Sequence, residues 1–297
     1  AGADAVVHLA WIFQPTHDPI ATWRNNVIGT KRLLEAVVDA GVGALVVASS
    51  VGAYSPGPSD DGPVDESWPT DSWPTAAYGR EKAYVERLLD AFELRHPDVR
   101  VVRLRPGFIF KRSSAEQQRR LFAGPFVPGA VLRPALVPVI PNLPGFRFQA
   151  LHSDDAAEAY RLAVMRDVRG AFNVAANDLV DAPLLADLFD ARVVPVPRAV
   201  ARRTLAALWQ LHVLPASPHL LDLALRLPLM DVRRAHSELG WQATRTARQA
   251  LAENLAGMRE GAGGETPPLA REAAGVGRAE ELRTGVGEKG GVTADRR

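Results

Sequence analysis

Apolar residues in this chain come in short unbroken runs, separated by stretches in which they recur every three or four positions. The first run, "AVVHLA" at residues 5–10, predicts a buried strand. Residues 18–40 follow with Val27, Leu33, Leu34, Ala36, Val37 and Val38 on one side, a helix stopped by Gly41 and Gly43. "ALVVAS" (44–49) predicts a second strand, and 55–75 is a polar, proline-rich loop. Tyr84, Val85, Leu88, Leu89 and Phe92 then mark a helix that ends near His96-Pro97. "VRVVRLR" (99–105) predicts a third strand, ended by Pro106-Gly107. Continuous apolar strands alternating with helices predict an α/β fold: a parallel sheet covered on both faces, with right-handed crossovers.

After residue 110 the pattern loosens. Residues 123–147 hold six prolines and read as a binding loop with neither helix nor strand. Strands are expected at 148–151 and 171–175, and a helix at 153–166 capped by Ser153 or Asp154. Further helices are expected at 182–189, 198–213, 218–227, 231–239 and 245–259. The organisation follows: residues 1–110 as an α/β unit, 111–260 as a mixed region with returning strands and helices, and 261–297 as a disordered tail rich in Gly, Glu, Arg and Thr.

Composition removes several classes of function. A net charge of +1 gives no ground for a nucleic-acid partner. The absence of cysteine excludes disulfides and thiolate metal sites. His152, Asp154 and Asp155 are better explained as a helix cap than as metal ligands, so no metal is expected. No stretch reaches 18 uninterrupted apolar residues, so no membrane span is expected, and a cytoplasmic location fits.

Against that background one pair stands out. The chain has four tyrosines and four lysines, and Tyr78 and Lys82 lie four positions apart in "YGREK"; chance alone gives roughly 0.05 such pairs per chain. On a helix the two share a face. A free tyrosine titrates near ~10, too high for acid–base work at neutral pH, and an ammonium one turn away favours the phenolate. The pair taken alone also suits an exposed helix surface. Ser49 and Ser50 end the second strand, at the carboxyl edge of the sheet where ligands of open parallel sheets bind, so Ser50, Tyr78 and Lys82 can converge. "ASSVG" also fits a relaxed nucleophile elbow with His152 and Asp154 as partners, but Tyr-Ser-Pro-Gly-Pro follows where an elbow needs a helix.

From residue 4 to about 255 the chain resembles the extended short-chain dehydrogenase/reductases, which include NAD-dependent epimerases and dehydratases. Nine pieces stand in family order: "DAVVHLA", "NNVIGTKRLLEAVVDAGV", "LVVASSVGAY", "DESWPT", "YGREK", "VRLRPG", "LHSDDAAEAYRLA", "GAFNVA" and "ELGW". The resemblance implies a Rossmann-like doubly wound parallel sheet with a small C-terminal substrate-binding subdomain, residues 1–110 being part of the dinucleotide-binding domain and 111–260 the substrate-binding region. It implies NAD or NADP as cofactor, a small-molecule substrate, and a homodimer through the helices at 18–40 and 77–96. It makes Tyr78 the acid–base, Lys82 the group that holds the nicotinamide ribose and tunes the tyrosine, Ser50 the partner of the reacting oxygen, and Asn26 the asparagine near both. His8, Leu9 and Ala10 become the turn passing the cofactor, with Ser49 and Pro106 also lining its site.

The departures from the family are as informative. No glycine-rich phosphate loop sits on a strand–helix junction, so the expected sheet lacks its first βαβαβ half. NAD and NADP are then indistinguishable, and residues 1–297 alone are expected to be poorly soluble and to bind neither. Phe108 and Phe148 stand where nucleotide-sugar members carry asparagine and arginine, and Trp11 replaces a small residue. These changes make the pocket more apolar than a diphosphate needs and leave sugar-nucleotide signals weak. The function expected is an NAD(P)-dependent oxidoreductase or epimerase/dehydratase acting at a hydroxyl or carbonyl carbon; its rival is a non-catalytic protein of the same fold.

Overall fold

The computed structural model describes residues 2–14, 16–123, 136–266 and 269. Four parallel strands form the main sheet in the order β1 (Ala5–His8), β2 (Ala44–Ala48), β3 (Arg100–Pro106) and β7 (Gly170–Val174). The α/β expectation is thus met, with β1 at an edge of the described sheet. The first strand is shorter than expected, and Leu9 and Ala10 lie beyond it in an exposed turn.

Side chains alternate across β2 and β3 as a pleated strand requires. Leu45, Val47 and Val101 face one layer with Val27, Leu34, Val37, Val85, Leu89 and Phe92. Val46, Val102 and Leu104 face the other with Leu151, Ala159, Phe172, Leu239 and Trp241. Each fully buried Leu or Phe contributes about 1.5–3 kcal/mol.

The helix expected over 18–40 is interrupted. It comprises α1 (Pro19–Trp23), a π-helical turn (Arg24–Ile28) and α2 (Gly29–Asp39). Asp18 caps it, its Oδ1 accepting from the Ile20 and Ala21 amides. The next helix, α3 (Ala77–Arg95), carries Tyr78 in its first turn.

Beyond the main sheet lies a smaller one of β4 (Phe108–Phe110), β6 (Arg147–His152) and β8 (Leu179–Asp181). A strand pair, β5 (Val139–Asn142) with β9 (Arg192–Pro195), completes the described sheets. Strand β5 corrects the reading of 123–147 as containing no strand; Pro141 is tolerated because a two-stranded ribbon is all edge. Residues 124–135 of that stretch lie outside the described residues, as does most of the expected tail. Short strands β4, β8 and β9 and helix α4 (Ala115–Ala123) also went unread, being too short or too polar for periodicity to mark. Helices α5 (Ser153–Met165), α6 (Ala182–Phe189), α7 (Arg198–Gln210), α8 (Pro218–Ala224) and α9 (Ala247–Glu260) lie close to expectation. His152, not Ser153 or Asp154, caps α5 through its Nδ1. The helix expected at 231–239 centres on a π-helical turn, Ala235–Leu239.

Helix α3 is joined to the sheet by a buried ion cluster. Glu86 is fully buried and receives two bonds from Arg105 (2.9 Å each), one from Arg103 (3.0 Å) and one from the Ser49 hydroxyl (2.5 Å). Arg105 also donates to the Tyr54 hydroxyl, which donates to Asn173 on β7. Burial alone would push the Glu86 carboxyl up; Arg105, then Arg103 and Ser49, overcome that and hold it at about 2.

Two outcomes follow. Glu86→Ala leaves buried guanidinium groups uncompensated and should cost about 3–5 kcal/mol in denaturant unfolding. Because the folded pKa is depressed, Glu86 stabilises fully above the unfolded value of ~4.3 and less as pH falls toward about 2, so Glu86→Gln should flatten the acid limb of stability in that window. Second, a Cβ at Gly79 would lie 1.9 Å from Ser72 Oγ and 3.0 Å from Gly52 O. Gly79→Ala should destabilise by about 1–3 kcal/mol, and adding Ser72→Ala should recover part of that loss.

Candidate active site

Strand β2 ends at Ala48, and the chain turns through Ser49 and Ser50 into one 3₁₀ turn, Val51–Ala53. Ser50 starts that turn, its Oγ accepting from the Gly52 amide at 2.9 Å. Gly52 lets the Tyr78 ring approach: a Cβ there would stand 2.9 Å from Tyr78 Cε1. The Tyr78 ring and Ser50 Oγ both stand against Gly52, close enough for Ser50 to act on the Tyr78 hydroxyl. One turn along α3, Lys82 Nζ donates to the Ala48 carbonyl at 2.7 Å. The three residues expected to converge therefore do so, at the carboxyl edge of the parallel sheet.

Their electrostatics differ from the simple expectation. Burial pushes the Tyr78 hydroxyl up, with neighbouring Ser50 acting the other way. Burial also pulls the Lys82 amine down to about 7, against the raising influence of Glu86 and Glu81. The lysine thus spends its proton on a strand carbonyl and does not draw the tyrosine down. The cause lies overhead: the Trp11 ring centroid is 3.5 Å from Lys82 Nζ, and Trp11 and Phe13 stand 6.1 and 5.2 Å from the Tyr78 ring. These aromatic rings replace water around both groups.

The remaining expected residues divide. Asn26 lies in the π-helical turn, 2% exposed. Its amide is used up, Oδ1 accepting from the Ile12 amide (2.9 Å) and Nδ2 donating to Ile12 O (2.8 Å) and Glu81 Oε2 (2.7 Å). His8 bonds Thr30 Oγ1 through Nε2 at 2.9 Å, and burial and then Lys82 lower its pKa. The Ser49 hydroxyl donates to Glu86 at 2.5 Å. Pro106 is buried at the end of β3, opposite Val174. Periodicity did not single out Glu81, Thr22 and Phe13; Glu81 was visible only as an acid inside "YGREK".

A pocket of ≈ 430 Å³, open mouth included, adjoins Tyr78 and is lined by Ile12, Phe13, Thr22, Glu81, Ser217 and Leu220 among others; among the described residues none that lines it is cationic. Phe108 and Phe148 pack against each other, their ring centroids 4.6 Å apart and their planes tilted by 55°. For a nicotinamide cofactor the donor set fits at one end. Tyr78 can meet a ribose hydroxyl, Lys82 can do so once the Trp11 ring moves from over its Nζ, and among the described residues Trp11 Nε1 is a buried donor without a partner. Among the described residues no glycine-rich strand–helix turn offers a diphosphate cradle.

Similarity to known proteins agrees with this geometry. UDP-glucose 4-epimerase of Yersinia enterocolitica is 34% identical over 105 residues, 34% of this chain and 30% of that protein, so the match spans about a third of its length. In fold the chain is similar to UDP-glucose 4-epimerase of Thermus thermophilus complexed with NAD (TM-score 0.61, 18% identity, 86% of this chain and 78% of that one). It is also similar to RMD from Pseudomonas aeruginosa complexed with NADPH (TM-score 0.60, 20% identity, 86% and 80%). Residues 1–175 of the 297 match the model of the NAD dependent epimerase/dehydratase family, and the chain belongs to that family.

Proposed function

We propose that this protein is an NAD(P)-dependent oxidoreductase or epimerase/dehydratase acting at a hydroxyl or carbonyl carbon of a small molecule. The observation that carries the reading is the juxtaposition of Ser50 and Tyr78, with Lys82 one turn away, gathered at the sheet edge beside a pocket. The nicotinamide, when bound, supplies or takes up the hydride. Tyr78 exchanges the accompanying proton with the substrate oxygen, and Ser50 orients both oxygens. Lys82 holds the nicotinamide ribose, and because its amine titrates at about 7 its charge responds to that contact. Trp11 and Phe13 exclude water from the proton transfer.

The relatives' names make a UDP-sugar the first substrate to test. Against it stand the apolar pocket walls and the absence of a cation among them, which favour a less charged substrate. In the full-length protein, the copurifying nucleotide should be NAD or NADP. Tyr78→Phe should lower turnover at least ~100-fold while leaving nucleotide affinity nearly unchanged, the loss typical of a missing general acid–base. Turnover within a few-fold of wild type would favour the rival, a fold that keeps these residues without using them.

The proposed assembly is a homodimer through α1–α2 and α3. Their outward sides carry exposed apolar residues, among them Ile20 (62% exposed), Tyr84 (45%) and Leu94 (84%), with Trp23 and Tyr84 in contact at 4.8 Å. Sedimentation should give a dimer at micromolar concentration, and Ile20→Glu with Tyr84→Glu should give a folded monomer. A wild-type monomer removes the proposal.

A further inference from the structure

Glu81 lies on α3 between Tyr78 and Lys82, 2% exposed. Its carboxylate is hydrogen-bonded only by neutral groups: Thr22 Oγ1 donates to Oε1 at 2.5 Å and Asn26 Nδ2 to Oε2 at 2.7 Å. Burial raises its pKa, and those two bonds lower it in part. A carboxylate placed so deeply, with no cation bonded to it, is costly to keep for packing alone. The cost has a counterpart in what Asn26 does. The same amide that serves Glu81 closes a two-bond clamp on the backbone of Ile12, and Ile12 lies between the two rings that cover the reactive pair.

The local backbone supports the clamp. A π-helical turn carries Asn26. Insertions of this kind re-aim a side chain and free a carbonyl. Here the Asn26 carbonyl accepts from Thr30 Oγ1 at 2.5 Å, and Thr30 is in turn bonded by His8. Every polar atom of the Asn26 side chain is thereby committed between α3 and the segment after β1.

We propose that Glu81 is a positioning residue: through Asn26 it holds the Ile12 backbone, and so keeps Trp11 closed over Lys82 and Phe13 over Tyr78. This rests on reading Tyr78 and Lys82 as the reactive pair. Glu81 also lines the pocket beside Tyr78, but the assigned role acts through Asn26 and needs no contact with substrate or cofactor. Its effect is on water: with the clamp made, the rings shield the ammonium and the phenol, and with it broken the segment lifts and solvent enters.

The two ways in which Glu81 could act on Lys82 have opposite signs. As a nearby negative charge it raises the Lys82 pKa, as Glu86 does. As the holder of the aromatic cover it lowers that pKa by keeping the amine dry. The other groups facing Lys82 are His8 on β1, the Ala48 carbonyl on β2, and Glu86 and Tyr78 on α3. All of these remain in the variants below.

The chain has only four lysines, so Lys82 can be followed by NMR of ¹³Cε-labelled lysine in the full-length protein and assigned with Lys82→Met. In the wild type the midpoint should lie at about 7. Glu81→Ala removes both clamp and charge; the midpoint should climb by about one pH unit or more toward the ordinary ~10.4. Glu81→Asp keeps the charge but falls one methylene short of its partners, and it should climb as well, providing the test if the alanine variant fails to fold. Glu81→Gln can accept from Asn26 and donate to Thr22, whose hydroxyl also reaches Pro19 O, so the clamp survives and the midpoint should stay or fall. An alanine or aspartate variant whose Lys82 midpoint falls or does not move overturns the proposal. Because this titration needs no turnover, it stands apart from the fate of the activity: an active Tyr78→Phe enzyme would remove the catalytic reading and leave the clamp result intact.

Discussion

The rest of the structure hangs on the burial of Glu86. Its two oxygens gather Ser49 from the end of β2 and Arg103 and Arg105 from β3. Those arginines alternate with Val102 and Leu104, so the α3-facing side of β3 would be strongly cationic without a counter-ion. Asp90 takes a 2.6 Å bond from Arg103, Glu93 takes a second, and Tyr54 and Asn173 carry the network to β7. Removing one member of such a network strands the others in a low-dielectric interior, which makes the arrangement all-or-none. The consequence is geometric. A helix held this rigidly at Glu86 presents Lys82 one turn earlier and Tyr78 two turns earlier at set places on the sheet edge.

The second constraint is steric and comes from glycine. Gly52 and Gly79 lie where the 3₁₀ turn after β2 meets the first turn of α3, and a methyl on either would collide with Tyr78 or Ser72. Close approach of backbone there brings the Tyr78 ring against Ser50. The aromatic cover then closes the site from the other side, with the Trp11 ring over Lys82. Burial moves the lysine down and the tyrosine up, so Tyr78 and Lys82 are tuned by packing more than by their mutual charge.

Much of this was legible in the chain. Strands β1, β2, β3 and β7 are dense in apolar and β-branched residues, and α3 shows a plain 3–4 repeat; local pattern suffices for such elements. Strands β4, β8 and β9 span only three or four residues and are formed by pairing with distant segments, so no local signal precedes them. The π-helical turn at Asn26 was invisible for a related reason, since the residues around it fit an ordinary helix and the extra residue is accommodated by contacts to Ile12 and Glu81.

By itself the sequence determined the α/β class, the order of its first elements, and the convergence of Ser50, Tyr78 and Lys82, because strand ends and four-residue helical spacing are short-range facts. What only the tertiary structure decided is the state and company of those residues. Ser49 and Ser50 are adjacent in sequence, yet one faces Glu86 and the other Tyr78. Lys82 sits over a strand carbonyl beneath an indole ring from a segment some seventy residues away. Burial, and with it the energy of every charge, is summed over neighbours brought together by the fold, and no window of the chain contains that sum.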